Sequence, residues 1–284
     1  MAESDPLQTE LARVSSSLDE FWQQRLVFTP STDVDEVILA RDYWASRRFP
    51  HDLERFAAAR GIPDLAIAAS LWNKNYNNAL LPAILPAMTA LGVGLDASLE
   101  HVSLVLKDNI PQAVVLHHLN KSVLYLPRWS GTPAPSIQAM AELSELYQFV
   151  FGSLFQHLRS AIAQINQFTR LPRSVMWGNT GNACNNLYSE LANCPGAAIA
   201  ASTDRAIVFD RPESPAGTGR NPLCQTVVYK AVKKSGSSPS VPLRRTCCLL
   251  FRMPNSHYCD NCPIKIRADG ISVLSNKPLS KHAT

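Results

Sequence analysis

Val102-Ser103-Leu104-Val105-Leu106-Lys107, then Asp108-Asn109-Ile110-Pro111, then Ala113-Val114-Val115-Leu116-His117-His118-Leu119, then Asn120-Lys121 and Val123-Leu124-Tyr125-Leu126, is the stretch that decides the fold class. Three aliphatic runs of strand length are separated by short polar turns, which is a strand pattern and not a helical one. A three-stranded antiparallel meander near 102–126 is expected. His117 and His118 fall on opposite faces of the second run, and hydrogen-bonded structural roles are expected for them.

Working outward toward the C-terminus, Pro127 to Ser136 is a proline-rich loop. Beyond it Ile137, Met140, Leu143, Tyr147, Val150, Leu154, Leu158, Ile162, Ile165 and Phe168 recur at three- and four-residue steps. Such a stripe is the core face of a long amphipathic helix, and it is expected to cover one face of the sheet. The fold class is therefore α+β: a helix-rich body around a small antiparallel sheet.

Toward the N-terminus, helices are expected from Pro6 to Gln24, near Asp33 to Arg48, from Pro50 to Arg60 with a stop at Gly61, and from Asp64 toward Asn78 with Pro63 in the first turn. Ala79 to Leu95 contains no charged residue but is shorter than the roughly 20 residues a membrane span needs, and Pro82 and Pro86 interrupt it. A buried, kinked core helix is expected, and any membrane contact should be peripheral, at the inner membrane. Gly92-Val93-Gly94-Leu95-Asp96-Ala97 has the letters of a dinucleotide fingerprint. An apolar helical run precedes it and strand-like sequence follows, so it reads as a helix cap and turn. No bound NAD(P) or flavin is expected.

The 284 residues are 46% hydrophobic and 18% charged, ordinary for a globular chain able to bury a core. Lys and Arg number 27 against 23 acidic residues, a formal +4 too mild to imply nucleic acid. Met1-Ala2-Glu3-Ser4-Asp5 lacks the basic and apolar regions of a secretory signal, and seven cysteines are an odd number. A reducing, cytoplasmic setting is expected. Cys184, Cys194 and Cys224 stand singly and read as small buried hydrophobes without a ligand role.

Lys233 to Ser240 is a linker by composition, dividing a body at 1–232 from a C-terminal segment at 241–284. That segment is too small to hold a core unaided, so it should be fixed by a bound centre and by docking on the body. It holds Cys247-Cys248, ten intervening residues, then Cys259-Asp260-Asn261-Cys262-Pro263. A thiolate quartet this compact points to a soft metal or a cluster. Structural zinc sites use knuckles with two or more residues between thiolates. Adjacent cysteines diverge, and such a pair fits a two-iron cluster at least as naturally; zinc, a vicinal disulfide and uncoordinated thiols remain alternatives. Arg244, Arg245, Arg252, Lys265 and Arg267 gather positive charge around these cysteines.

The Cys-Cys-x10-Cys-x2-Cys spacing, with arginine before the vicinal pair, Phe251-Arg252-Met253-Pro254 after it and Pro263 after the last cysteine, resembles the [2Fe-2S] segment of the FhuF-like ferric-siderophore reductases. Leu171-Pro172-Arg173-Ser174-Val175-Met176-Trp177-Gly178-Asn179 is similar to a Trp-Gly-Asn stretch that opens a helix in the same family. The resemblance implies cytoplasmic, one-electron reduction of Fe(III) in an imported siderophore, with hydroxamates the commonest class. It also implies a [2Fe-2S] cofactor on Cys247, Cys248, Cys259 and Cys262 and an external donor such as a ferredoxin or flavoprotein reductase. Trp177 and Asn179 are candidates for the pocket wall, and Arg244, Arg245 and Arg252 for potential tuning or substrate attraction. The asparagines Asn182, Asn185 and Asn186 form a further polar cluster, suited either to chelate oxygens or to internal packing. A monomer is expected. The alternative is a non-enzymatic zinc- or cluster-holding protein that binds siderophores or senses iron. Siderophore synthetases share a region similar to the FhuF-like body, but they are longer and use a nucleotide, for which no phosphate loop is present here.

Overall fold

The computed structural model describes residues 6–30, 33–131, 137–231, 240–253 and 255–268. Most of the linker and the tail beyond 268 lie outside them, as do 1–5 and the end of the proline-rich loop. In chain order the regular elements are α1 (Pro6–Ser16), β1 (Glu36–Leu39), α2 (Ala40–Ala45), α3 (Arg48–Ala59), α4 (Leu65–Pro86), β2 (Val93–Gly94), β3 (Val102–Lys107), β4 (Ile110–Leu116), β5 (Val123–Tyr125), β6 (Gln138–Met140), α5 (Leu143–Thr169), α6 (Arg173–Leu191), α7 (Ala198–Asp210), β7 (Val227–Ala231), β8 (Ser240–Arg244) and α8 (Pro263–Ala268). The class is α+β.

The meander is only two-thirds present. β3 and β4 form an antiparallel hairpin, but the third strand of their sheet is β1, which pairs with β3 from Glu36 opposite Leu106 to Leu39 opposite Ser103. The helix expected near 33–48 is therefore half strand, and only α2 remains of it. β5 pairs instead with β2 and, in parallel, with β6. The reason is an occupied edge. Val114 N donates to Arg25 O at 2.8 Å and Val27 N to Val114 O at 3.0 Å, so the chain near Leu26 takes the side of β4 that a third meander strand would need. His118, in the left-handed region at φ 59°, turns the chain away. His117 is structural, its Nε2 lying 2.8 Å from Ser103 Oγ.

α4 is the central post. Asp64 caps it, its carboxylate accepting from Ala66 N at 2.8 Å, so Pro63 precedes the cap and does not occupy the first turn. The helix passes through Pro82 and Pro86 before loosening into a π turn over Ala87–Leu91. Gly92, at φ 68°, closes it in the left-handed conformation that favours glycine. Nearly all of the 79–95 stretch is buried, and no described helix is long and apolar enough to cross a membrane. Around the middle of α4, Tyr43, Trp44, Phe49, Trp72 and Tyr76 pack ring against ring, with Tyr43 and Tyr76 stacked on Trp72. α5 starts at Leu143, later than its stripe, because Glu142 and Glu145 form a reciprocal capping box there and residues 138–140 are already in β6.

α6 lies against α4 and carries β7 and β8, an antiparallel pair that joins the body to the cysteine segment. Two glycines permit the close approach. A Cβ on Gly181 would stand 2.0 Å from Thr226 Oγ1, and one on Gly178 would stand 1.9 Å from Thr246 Oγ1.

Candidate metal centre

β8 delivers the chain directly to the vicinal cysteines. Arg244 N donates to Asn261 O at 3.3 Å and Arg245 N to Thr226 O at 2.9 Å, which ties this strand end both to the Cys-x-x-Cys turn and to the body. Leu249 turns back at φ 64°, and its N–H points at Cys247 Sγ at 3.3 Å. The intervening loop closes on itself through Phe251 stacked on Tyr258 with ring centres 5.1 Å apart. Cys262 N donates to Cys259 O at 3.1 Å, and α8 starts with Pro263 at once afterwards.

The four thiols gather at one place. Cys248 Sγ is 3.7 Å from Cys259 Sγ, and Cys247 stands close enough to both Cys248 and Cys262 to interact with them electrostatically. Two thiolates sharing a tetrahedral metal at bonds of about 2.3 Å stand about 3.8 Å apart, so the measured separation suits two ligands of one ion. Among the described residues no three His, Cys, Asp or Glu side chains are arranged to hold a single metal ion. Four thiols gathered within one short segment suit a thiolate-bound centre. Cys248 and Cys262 are buried and Cys247 and Cys259 half-buried.

Charge within the site is uneven. The Cys248–Cys259 contact pulls the Cys248 thiol down to about 5; Arg244, Lys74 and the Leu250 N–H add to this against the cost of burial. Cys259 is raised by the same contact, and Cys247 is raised chiefly by burial.

Arg244 provides the sharpest test of fit. It is 1% exposed, and one guanidinium nitrogen donates to Asn179 Oδ1, yet Nε and Nη1 have no partner among the described residues. A buried cation with unmet donors is costly unless an anion completes it. The anionic sulfur of a thiolate-bound cluster is that complement, so the residues present fit the group.

Asn179 is 2% exposed. Its Nδ2 donates to Ser70 O at 2.9 Å, and Ser70 Oγ donates to the Cys248 carbonyl at 2.8 Å. It is thus a strut between α4, Arg244 and the vicinal cysteines. Trp177 is half-buried, its ring edge-on to Phe155 at 5.9 Å on the core side of α6. Arg245 and Arg252 are exposed, as is Lys265, whereas the Arg267 side chain lies outside the described residues. Of the asparagine cluster, Asn185 is buried and accepts from Tyr229 OH at 3.2 Å. Asn182 and Asn186 instead line a cleft beside Cys259, together with Lys74 and Asn78 from α4. Neither α4 residue was singled out from the sequence. The available signal was Lys74 as the sole charge in the otherwise uncharged run 65–86.

Four thiols gathered in one C-terminal stretch beside a helix-rich α+β fold define the class: a thiolate-ligated iron-sulfur protein. The comparisons agree. Residues 70–231 match the model of the ferric iron reductase FhuF-like transporter family, and residues 244–263 match the FhuF 2Fe-2S C-terminal domain. The chain belongs to the FhuF-like family, and its cofactor is a [2Fe-2S] cluster. It is 23% identical over 203 residues to the ferric siderophore reductase of Escherichia coli (strain K12), a match covering 69% of this chain and 65% of that protein. Among solved structures it is similar in fold to the aerobactin synthetase IucC from a hypervirulent pathotype of Klebsiella pneumoniae, with TM-score 0.52, 14% identity, and coverage of 68% of this chain and 36% of that one. Aerobactin synthetase IucA from the same source gives TM-score 0.49 at 12% identity, covering 62% of this chain and 34% of that one.

Proposed function

We propose that the protein is a ferric-siderophore reductase that passes one electron to Fe(III) in an imported chelate, of the hydroxamate class, and so releases Fe(II). Hard anionic oxygens hold Fe(III) far better than Fe(II), so release needs an electron more than an acid or a base. The [2Fe-2S] group supplies single electrons at low potential. Cys247, Cys248, Cys259 and Cys262 are the proposed ligands and would hold the cluster through their thiolates. Arg244 offsets their negative charge with its two unmet nitrogens, and that orphaned buried guanidinium is the observation that carries the reading. Asn179 and Ser70 hold Arg244 and the Cys248 backbone in place, and Trp177 braces the helix from which Asn179 projects. The body at 1–232 would receive the substrate and the segment at 241–284 would carry the cluster.

Electrons come from a separate carrier, a ferredoxin or a flavoprotein reductase. The exposed cations Arg245 and Arg252 suit an acidic face on such a donor, because rim charges steer encounter. Anaerobically isolated protein is expected to be brown-red with iron and sulfide in equal amounts. Once reduced with dithionite, it should be reoxidised in stopped-flow mixing with an Fe(III) hydroxamate. Colourless zinc protein, or an intact cluster that no ferric chelate oxidises, would replace this reading with a binding or sensing role.

A further inference from the structure

A cleft of about 480 Å3 opens where α4, α6 and the cysteine segment meet, and Cys259 forms part of its wall. Its polar lining comes as two pairs, each one helical turn apart: Lys74 with Asn78 on α4, and Asn182 with Asn186 on α6. Residues four apart share a helix face, and the packing of α6 on α4 brings both stripes to the same opening. Asn182 accepts a hydrogen bond from Asn261 Nδ2 and so ties the cleft to the Cys-x-x-Cys turn. Among the described residues the side chains of Lys74, Asn78 and Asn186 make no hydrogen bond or ion pair. Phe21 and Trp22 add an aromatic edge, and Phe21 is 50% exposed.

Convergent polar groups with unused hydrogen-bonding capacity, an aromatic edge and a volume of several hundred Å3 are the marks of a small-molecule site. The charge balance narrows the ligand. The lining holds one ammonium, Lys74, and one carboxylate, Asp260, and apart from Cys259 its remaining polar side chains are the neutral amides Asn78, Asn182, Asn186 and Asn261. A trianionic complex would find too little positive charge to offset its desolvation. A neutral or singly charged complex with amide and carbonyl edges would find complementary partners.

We infer that this cleft is the seat of the ferric chelate and that it selects neutral or singly charged chelates over polyanionic ones. Asn78 and Asn186 hydrogen-bond the ligand's amide and carbonyl edges, Lys74 faces the metal-bound oxygens, and the Phe21–Trp22 edge covers an apolar spacer. The seat rests on the reductase reading above. One electron enters from the external donor, one leaves to Fe(III), and no atom is transferred to the chain.

Gallium(III) cannot be reduced under these conditions, so its complexes separate binding from electron transfer. Calorimetry of cluster-loaded protein with a neutral gallium(III) tris-hydroxamate should give saturable binding. Asn186→Trp, which fills the cleft, should weaken it at least about tenfold while the visible spectrum stays that of wild type, and the gentler Asn78→Ala/Asn186→Ala pair should weaken it by a smaller factor. A trianionic gallium(III) tris-catecholate should bind wild type at least about tenfold more weakly. Absent binding of the hydroxamate complex, unchanged affinity in Asn186→Trp, or equal affinity for the catecholate would each overturn the inference. Binding that behaves as stated, with no oxidation of the reduced protein by the iron complex, would support the seat and remove the reductase reading.

Discussion

Two buried guanidiniums divide the molecule. Arg128 donates twice to Asp204, at 2.8 and 3.0 Å, and that carboxylate also accepts from Tyr147 OH at 2.6 Å and Thr89 Oγ1 at 2.8 Å. Burial alone would lower the Arg128 pKa, but the hydrogen bonds and charge of Asp204 carry it above its ordinary value. Arg244, more deeply buried, has one amide oxygen and two nitrogens without partners. The first site is complete within the protein and acts as a clasp between α5, α7 and the turn after α4. The second leaves two donors unmet among the described residues, which the proposed cluster would offset. The two inward-facing guanidiniums thus differ in how far the protein itself satisfies them.

The largest effect should come from the functional side. Cys259→Ser is expected to abolish the visible charge-transfer absorption and ferric-chelate reduction together while leaving the far-ultraviolet circular dichroism of the body unchanged. Retention of both would remove Cys259 from the ligand set.

On the scaffold side, Asp204→Ala strands a buried cation and two hydroxyls. About 3–5 kcal/mol of stability should be lost, read from the urea midpoint, with the spectrum of whatever protein remains folded unaltered. A loss under about 1 kcal/mol would mean that the clasp is not a tight buried pair.

Arg244→Met should behave oppositely in the two states of the cofactor. In chelator-treated, cluster-free protein it should be neutral or mildly stabilising, because the unmet donors disappear. In loaded protein it should lower the reduction potential and speed cluster loss. Destabilisation of the cluster-free protein as severe as in Asp204→Ala would erase the contrast between the two arginines.

The smallest effect concerns a second site completed by the protein itself. His157 is fully buried, with Nδ1 at 2.7 Å from Ala97 O and Nε2 bonded to Tyr76 OH, and burial lowers its pKa to about 4. The unfolded chain binds this proton near pH 6.5 and the folded chain does not until about pH 4. Its contribution is therefore complete above pH 6.5 and declines as pH falls toward 4. Between pH 7.5 and 5.5 wild type should lose about 1 kcal/mol from this group, and His157→Gln should lack that part of the slope.

How far the sequence could be read depended on whether a property was local. The four cysteines were legible because ligand spacing is a chain property, and the same holds for the α5 stripe and for the glycine turn at Gly92. In the Trp177-Gly178-Asn179 stretch, the glycine that admits Thr246 and the asparagine that accepts from Arg244 depend on partners about 65 residues away, which no local pattern reveals. The β1 segment was misread as helix for a similar reason. Glu36-Val37-Ile38-Leu39 is too short for periodicity to speak, and β3 supplies the reason it is extended.

The amino-acid order by itself determined which side chains can bind iron, where the long helix lies and that the class is α+β, because thiolate spacing, helical period and caps act over a few residues. Only the tertiary structure decided that β5 leaves the meander, that Arg244 is buried with unmet donors, and that Lys74 and Asn78 meet Asn182 and Asn186 beside Cys259. Strand-edge occupancy, desolvation and cleft lining are set by residues brought together from distant parts of the chain, and no local pattern encodes them.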